Sequence, residues 1–237
     1  MDTILFETNI QPAALLYSVC AGIALGLAYD VIHKHASPPL VKIAEQVLLF
    51  SSNPMAELLL LRTVAGMGRR AATLAEAAAI LAAYHQSRME KVDWRGFRLV
   101  NGSGLTAENR ITPEQTVALR RAALLALRGG RDYTSLLPVA ATSGSLQHRF
   151  VKPETALRIW AKTGTIFYST TLAGVLHTLS GRRLLFAVAC TDDARRAVYE
   201  REMRSGRRDS AINAAGTWIQ EKNRQIDELV MHWIRTL

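Results

Sequence analysis

Two short groups of residues in this 237-residue chain could do chemistry together. The first is Lys162-Thr163-Gly164-Thr165, set between Arg158-Ile159-Trp160-Ala161 and the β-leaning run Ile166-Phe167-Tyr168. The second is Ser51-Ser52-Asn53, which stands ahead of Pro54 at the start of an apolar helical run. A hydroxyl, a carboxamide and a primary amine are the groups that acyl-transfer sites use to pass protons, hold a carbonyl and steady an oxyanion. Such sites also need a nucleophile, commonly a serine one helical turn before a lysine that takes its proton. None of the lysines here has a serine three residues before it. Taken singly, Ser51 and Asn53 ahead of Pro54 would serve equally well as turn and capping residues.

The elements that must position these groups are legible from periodicity and punctuation. Ser37-Pro38-Pro39 leads into a helix over residues 40–50, and a second helix covers residues 55–64 with Gly66 as its stop. An Ala-rich helix over residues 73–88 follows, amphipathic through Leu74, Ala77, Ala78, Leu81 and Tyr84. Residues 97–100 suggest a short strand, and Asn101-Gly102-Ser103-Gly104 a loop. Thr112, Pro113 and Gln115 form a capping box for the next helix, predicted to end at Gly129-Gly130. Residues 136–150 read as loop. Strands are expected over 159–167, 171–179 and 184–190, the last two joined by Ser180-Gly181-Arg182. A final helix over residues 210–237 repeats apolar residues at Ala215, Ile219, Ile226, Leu229, Val230, Trp233 and Leu237, which predicts packing on the sheet. The order is helices, then an antiparallel sheet, then a closing helix.

Composition narrows the class. Apolar residues make up 49% and charged residues 21%, a globular balance able to bury a core. A net charge of +9 invites a nucleic-acid partner, but no binding fingerprint accompanies it, so none is expected. The densest basic run, residues 195–208, is interrupted by Glu200 and Glu202 and reads as a solvated, salt-bridged surface. Cys20 and Cys190 read as small buried hydrophobes. The six histidines offer no metal spacing, so neither a metal nor a cofactor is expected. Residues 1–34 form an apolar N-terminal segment in which residues 8–29 carry no charge and are long enough for a membrane anchor. A buried core helix or a misassigned start would give the same pattern, and the leading Asp2 and Glu7 argue against a secretory signal.

Several ordered blocks bring a family resemblance. They are Ser37-Pro-Pro-Leu40, Ser51-Ser-Asn-Pro-Met-Ala-Glu57, Asn101-Gly-Ser-Gly-Leu105 with Asn109-Arg-Ile-Thr-Pro113, Leu137-Pro-Val-Ala140 with Gly144-Ser-Leu146, and Ala161-Lys-Thr-Gly-Thr165 with Leu172-Ala-Gly174. Over about residues 35–190 the chain resembles the C-terminal portion of the serine D-alanyl-D-alanine carboxypeptidase/endopeptidases, a low-molecular-mass (class C) group of penicillin-binding proteins. The resemblance implies an α+β, partial β-lactamase/transpeptidase-like fold over residues 35–237: a helical lobe plus an antiparallel sheet closed by a C-terminal helix. It also implies a serine-type hydrolase in the periplasm, with peptidoglycan stem peptides and β-lactams as its partners.

The roles it implies are specific. Ser51 relays protons toward the leaving amine, and Asn53 holds the peptide carbonyl. Lys162 supplies positive charge, and Thr163 binds the terminal carboxylate. Gly164 and Thr165 complete the substrate strand, with the Thr165 N–H as half of an oxyanion hole. Asn101-Gly-Ser-Gly-Leu105 either shapes the site floor or is a plain turn. Ser143 and Ser145, loop serines without a neighbouring base, are not expected to act as nucleophiles. The departure from the family is the absent Ser-x-x-Lys, whose loss should remove most of the rate. As written, the chain is therefore expected to be a truncated, inactive carboxypeptidase/endopeptidase. The alternative is a catalytically dead module that binds peptidoglycan or a partner.

Overall fold

The computed structural model describes residues 37–126 and 133–237. The expectations for residues 1–34, including the apolar run 8–29, and for the helix end at Gly129-Gly130 lie outside the described residues. The chain divides into two units, Met1–Leu40 and Val41–Leu237, and the second carries all of the elements that follow except the first residue of α1. Among the described residues no helix is long and apolar enough to cross a membrane.

The helical part opens with α1 (Leu40–Phe50), α2 (Asn53–Gly66) and α3 (Leu74–Arg88). Thr73 caps α3 by accepting from the Glu76 N–H, while Glu76 reaches back to the Ala72 N–H. Leu60 and Val64 of α2 pack on Ala77 and Ala78 of α3, where the small residues let the two helices approach closely. Leu74, expected on the apolar face, stands 37% exposed, so contact with α2 rather than the full amphipathic stripe decides what is buried. The predicted capping box is realised at α4 (Pro113–Ala126): Gln115 N–H donates to Thr112 Oγ1 at 3.1 Å, and Thr112 N–H to Gln115 Oε1 at 3.0 Å. The short strand expected at 97–100 reduces to one isolated bridge between Arg98 and Arg110, because no further strand lies beside it among the described residues.

The sheet follows the order β1 (Ile159–Ile166), β2 (Ser169–His177), β3 (Arg183–Thr191), antiparallel throughout. Strand alternation buries Ile159 and Ala161 and turns Lys162 to the other face. The buried face meets the long terminal helix α6 (Arg208–Thr236), whose Ile226, Val230 and Ile234 recur every four residues against Leu172, Leu176 and Phe186. Of the expected stripe, Leu229 and Leu237 stand outside the core, and Trp218 and Ile234 take their place. Cys190 is half-buried at the end of β3, less enclosed than its surroundings in sequence suggest.

One element had no counterpart in the sequence reading. The basic run folds as α5 (Asp193–Arg204), capped by the Asp192 carboxylate on the Arg195 N–H at 2.9 Å. Arg196 is not solvated as expected. It is 8% exposed and its Nε donates to the Phe167 carbonyl at 3.2 Å, which satisfies a buried cation at the β1–β2 turn. Phe167 stacks on Tyr199 of α5 with ring centroids 4.2 Å apart, so this turn and α5 form one apolar corner.

The register of β1 against β2 depends on Gly174. A Cβ there would sit 2.0 Å from the Trp160 carbonyl oxygen and 2.6 Å from Ala161 Cα. Gly174→Ala is therefore expected to cost about 3 kcal/mol in urea denaturation through strand displacement. Gly216→Ala in α6 meets nothing within 4 Å and should instead stabilise by about 1 kcal/mol. Equal stability of both variants would contradict this packing.

Candidate active site

Ser51 occupies the turn between α1 and α2 with φ 53°, a left-handed conformation that a non-glycine residue adopts at a cost. The N-cap of α2 is Ser52, whose side chain makes no capping bond, and Asn53 and Pro54 open the helix. Ser51 therefore does not cap the helix. Its exposed hydroxyl accepts a hydrogen bond from Lys162 Nζ on β1, across 111 residues of chain. Lys162 Nζ also donates to the Thr163 carbonyl at 2.7 Å. Thr163 Oγ1 in turn donates to Ser145 Oγ at 2.9 Å. The structure thus brings Ser51, Lys162 and Thr163 together, with Asn53 half-buried two residues beyond Ser51.

Gly164 follows on the Lys162 face, where a Cβ would stand 2.6 Å from Thr171 Oγ1. Its small size leaves room for the Thr171 hydroxyl on that face. Thr165 lies exposed near the end of β1.

Two loops hold these groups in place. Asn101-Gly102-Ser103-Gly104 docks on α2, where Glu57, one helical turn after Asn53, accepts from the Gly102 N–H at 2.7 Å and the Ser103 N–H at 3.1 Å. A side chain at Gly102 would meet the Ala56 carbonyl at 2.9 Å, so glycine permits this contact. Asn101 and Asn109 lock the loop through an Nδ2–Oδ1 bond of 2.8 Å. The second loop carries Ser145 in a short 3-10 turn, Gly144–Leu146. Gly144 has φ 53° and would place a Cβ 2.8 Å from the Leu49 carbonyl, which draws the turn against the end of α1. Ser143 Oγ accepts from the Val139 N–H at 3.0 Å, a structural use of that hydroxyl. Arg149 pairs with Asp227 of α6, tying the far end of this loop to the sheet side.

The electrostatics are one-sided. No carboxylate pairs with Lys162 among the described residues. Burial holds its amine below the usual lysine range, and the Arg120 guanidinium adds to the shift by repulsion. Arg120 lies on α4, donates to Tyr133 Oη at 3.2 Å and stands 5.9 Å from that ring's centroid. Its Nε is buried without a hydrogen-bond partner among the described residues. With no counter-ion beside either group among the described residues, Arg120 and the protonated form of Lys162 favour an anionic ligand.

Sequence reasoning missed Ser145, Arg120 and the part played by Glu57. Gly144-Ser145-Leu146 and Glu57 both fall inside recognisable blocks, so the signal for them existed. Arg120 carried none. A groove of about 880 Å³ opens elsewhere, lined by Cys190, Asp192, Arg195, Trp218, Glu221 and Lys222 among others, and none of the candidate residues borders it.

A family model described as D-Ala-D-Ala carboxypeptidase 3 (S13) matches residues 26–207. Carboxypeptidase DacB of Mycolicibacterium smegmatis is 32% identical over 157 residues, covering 64% of this chain and 34% of that protein. Penicillin-sensitive carboxypeptidase A of Dictyostelium discoideum is 30% identical over 147 residues, covering 59% and 27% respectively. The chain thus spans about a third of the length of the curated relatives it matches. Among solved structures, penicillin binding protein 4 from Haemophilus influenzae superposes with TM-score 0.57 at 21% identity over 66% of this chain and 34% of that one. A penicillin G-acylated predatory endopeptidase from Bdellovibrio bacteriovorus, in complex with an immunity protein, gives 0.53 at 24% over 81% and 46%. Those two likenesses establish the fold: a helical lobe plus an antiparallel sheet closed by a C-terminal helix.

The position of Lys162 generates a direct measurement. In an NMR titration of lysine side chains, Lys162 should lose its proton at lower pH than the exposed lysines. Arg120→Met should move its midpoint part of the way back up, since burial is the larger cause and remains. An unchanged midpoint in that variant would remove Arg120 from the site.

Proposed function

The chain belongs to the D-Ala-D-Ala carboxypeptidase 3 (S13) family, and on that premise we propose that it carries the substrate-recognising and proton-relaying half of an acyl-serine carboxypeptidase/endopeptidase site. The ligands are peptidoglycan stem peptides ending in D-alanyl-D-alanine, and β-lactams, which present the same carboxylate beside a reactive amide carbonyl. Activity at the cell wall, in the periplasm, follows from that substrate.

One observation carries the reading: Lys162 Nζ touches both the Ser51 hydroxyl and the strand that presents Thr163. In this reading an extended peptide lies along the outer edge of β1. Thr163 Oγ1, now bonded to Ser145, turns to the terminal carboxylate, and the Lys162–Arg120 field holds that charge. Asn53 offers its carboxamide to the penultimate carbonyl, and Ser51 passes a proton between Lys162 and the amide nitrogen. Gly164 and the Thr165 N–H line the strand edge. The serine of a Ser-x-x-Lys motif is not among these residues, so the reading covers recognition and proton relay.

The catalytically silent reading, a module that binds stem peptides without turnover, uses the same residues and gives the same binding result. Turnover separates the two. The probe is diacetyl-L-lysyl-D-alanyl-D-alanine, measured by calorimetry. Wild type should bind it, and Thr163→Val and Lys162→Met should each weaken binding by about 10- to 100-fold, the worth of a charge-assisted hydrogen bond. The carboxamide form of the peptide should lose a comparable amount. Equal affinity for acid and amide forms would sink the proposal.

A further inference from the structure

The outer edge of β1 is only partly open. Residues 138–140 lie antiparallel beside it as a strap, with the Ala140 N–H donating to the Ile159 carbonyl at 2.9 Å and the Ala161 N–H to the Pro138 carbonyl at 3.0 Å. Those bonds fix which residues of β1 turn their backbone groups outward: Ile159 and Ala161, and by strand alternation Thr163 and Thr165. No backbone meets Thr163 or Thr165 on that edge among the described residues. An extended ligand on β1 therefore has Thr163 and Thr165 to pair with and stops against the strap at Ala161.

At that stopping point two hydroxyls stand together. Thr163 Oγ1 donates to Ser145 Oγ at 2.9 Å, and Ser145 is exposed. The Ser145 proton itself finds no acceptor among the described residues. The segment that forms the strap also holds Ser145 in place. Val139, at the middle of the strap, donates its N–H to Ser143 Oγ at 3.0 Å and accepts from the Ser143 N–H at 3.1 Å. Leu146 is buried, and its carbonyl accepts from the Ala141 N–H at 3.0 Å. Binding through a hydroxyl on a turn fixed in this way costs little further ordering.

We propose that Ser145 is a specificity-determining residue of this site, donating a second hydrogen bond to the ligand's terminal carboxylate beside Thr163. The proposal rests on the stem-peptide reading above. Each hydroxyl has one proton to give, and a carboxylate has two oxygens to receive them. Without a ligand, Thr163 spends its proton on Ser145. On binding, that proton turns to one carboxylate oxygen and the Ser145 proton to the other, so one ligand group satisfies both donors. A carboxamide in the same place is uncharged and presents one acceptor oxygen and an NH2 donor. The paired hydroxyls therefore favour the acid.

Calorimetry on the full chain tests this with diacetyl-L-lysyl-D-alanyl-D-alanine and its C-terminal carboxamide. Wild type should prefer the acid. Ser145→Ala should cut that preference by about 10-fold, the scale of one hydrogen bond to a charged group. Ser145→Thr, which keeps the hydroxyl, should hold it within about 3-fold of wild type. In wild type the Ser145 side-chain NMR signals should shift with the acid and much less with the amide, a readout that needs no variant to fold. A merely structural role would weaken acid and amide alike. An undiminished preference in folded Ser145→Ala therefore overturns the proposal and leaves the carboxylate reading in place. A threonine variant that behaves like alanine does the same, as does a Ser145 signal indifferent to the acid. Equal wild-type affinity for acid and amide, or no binding of either, overturns both.

Discussion

The bond between Lys162 on β1 and Ser51 at the head of α2 is the contact on which the candidate site depends, because it joins the helical lobe to the sheet through the side chains that could do chemistry. A lysine side chain has many rotamers, and fixing its amine on one hydroxyl costs conformational entropy. The surroundings supply that constraint in advance. Gly174 lets β1 lie flush on β2, and Gly164 leaves room for Thr171 on the Lys162 face. Gly144 brings the Ser145 turn against the end of α1, and Glu57 pins the Asn101 loop to α2 one turn below Asn53. Each of these is a close approach that a side chain would block, so the glycines of the site are positional requirements.

The second organising feature is charge without compensation. Some basic residues find carboxylates: Arg224 bonds Glu221 and Glu228, Arg149 bonds Asp227, and Arg235 bonds Glu154. Lys162 and Arg120 are not among them. Arg120 faces a tyrosine, and the amine faces a serine and a carbonyl. An anion that shared the site would offset the cost of partly burying these two groups side by side.

Legibility from sequence differed by element, for physical reasons. Local signals were reliable where one residue type is strongly demanded. The Thr112–Gln115 capping box, the proline-led start of α2 and the three strands around Ser180-Gly181-Arg182 all formed within a few residues of expectation. Reading failed where composition pointed one way and context another. The arginine-rich run looked like open surface, yet an Asp192 cap and Tyr199 stacked on Phe167 fold it into α5 with Arg196 buried. The strand over 97–100 failed because a strand exists only with a partner.

Sequence alone determined the candidate groups themselves. Ser51, Asn53 and Lys162-Thr163-Gly164-Thr165 stood out, in order, as the groups to which the family resemblance assigns roles in an acyl-transfer site. It also determined the family, whose blocks run through most of the chain. Only the tertiary structure decided that Ser51 meets Lys162, that Ser145 meets Thr163, and that Arg120 lies within electrostatic reach of the amine. Those contacts join residues that are 18 to 111 positions apart where a hydrogen bond records them. They depend on strand register and helix docking, which arise from packing across the whole domain and leave no local trace in the order of residues.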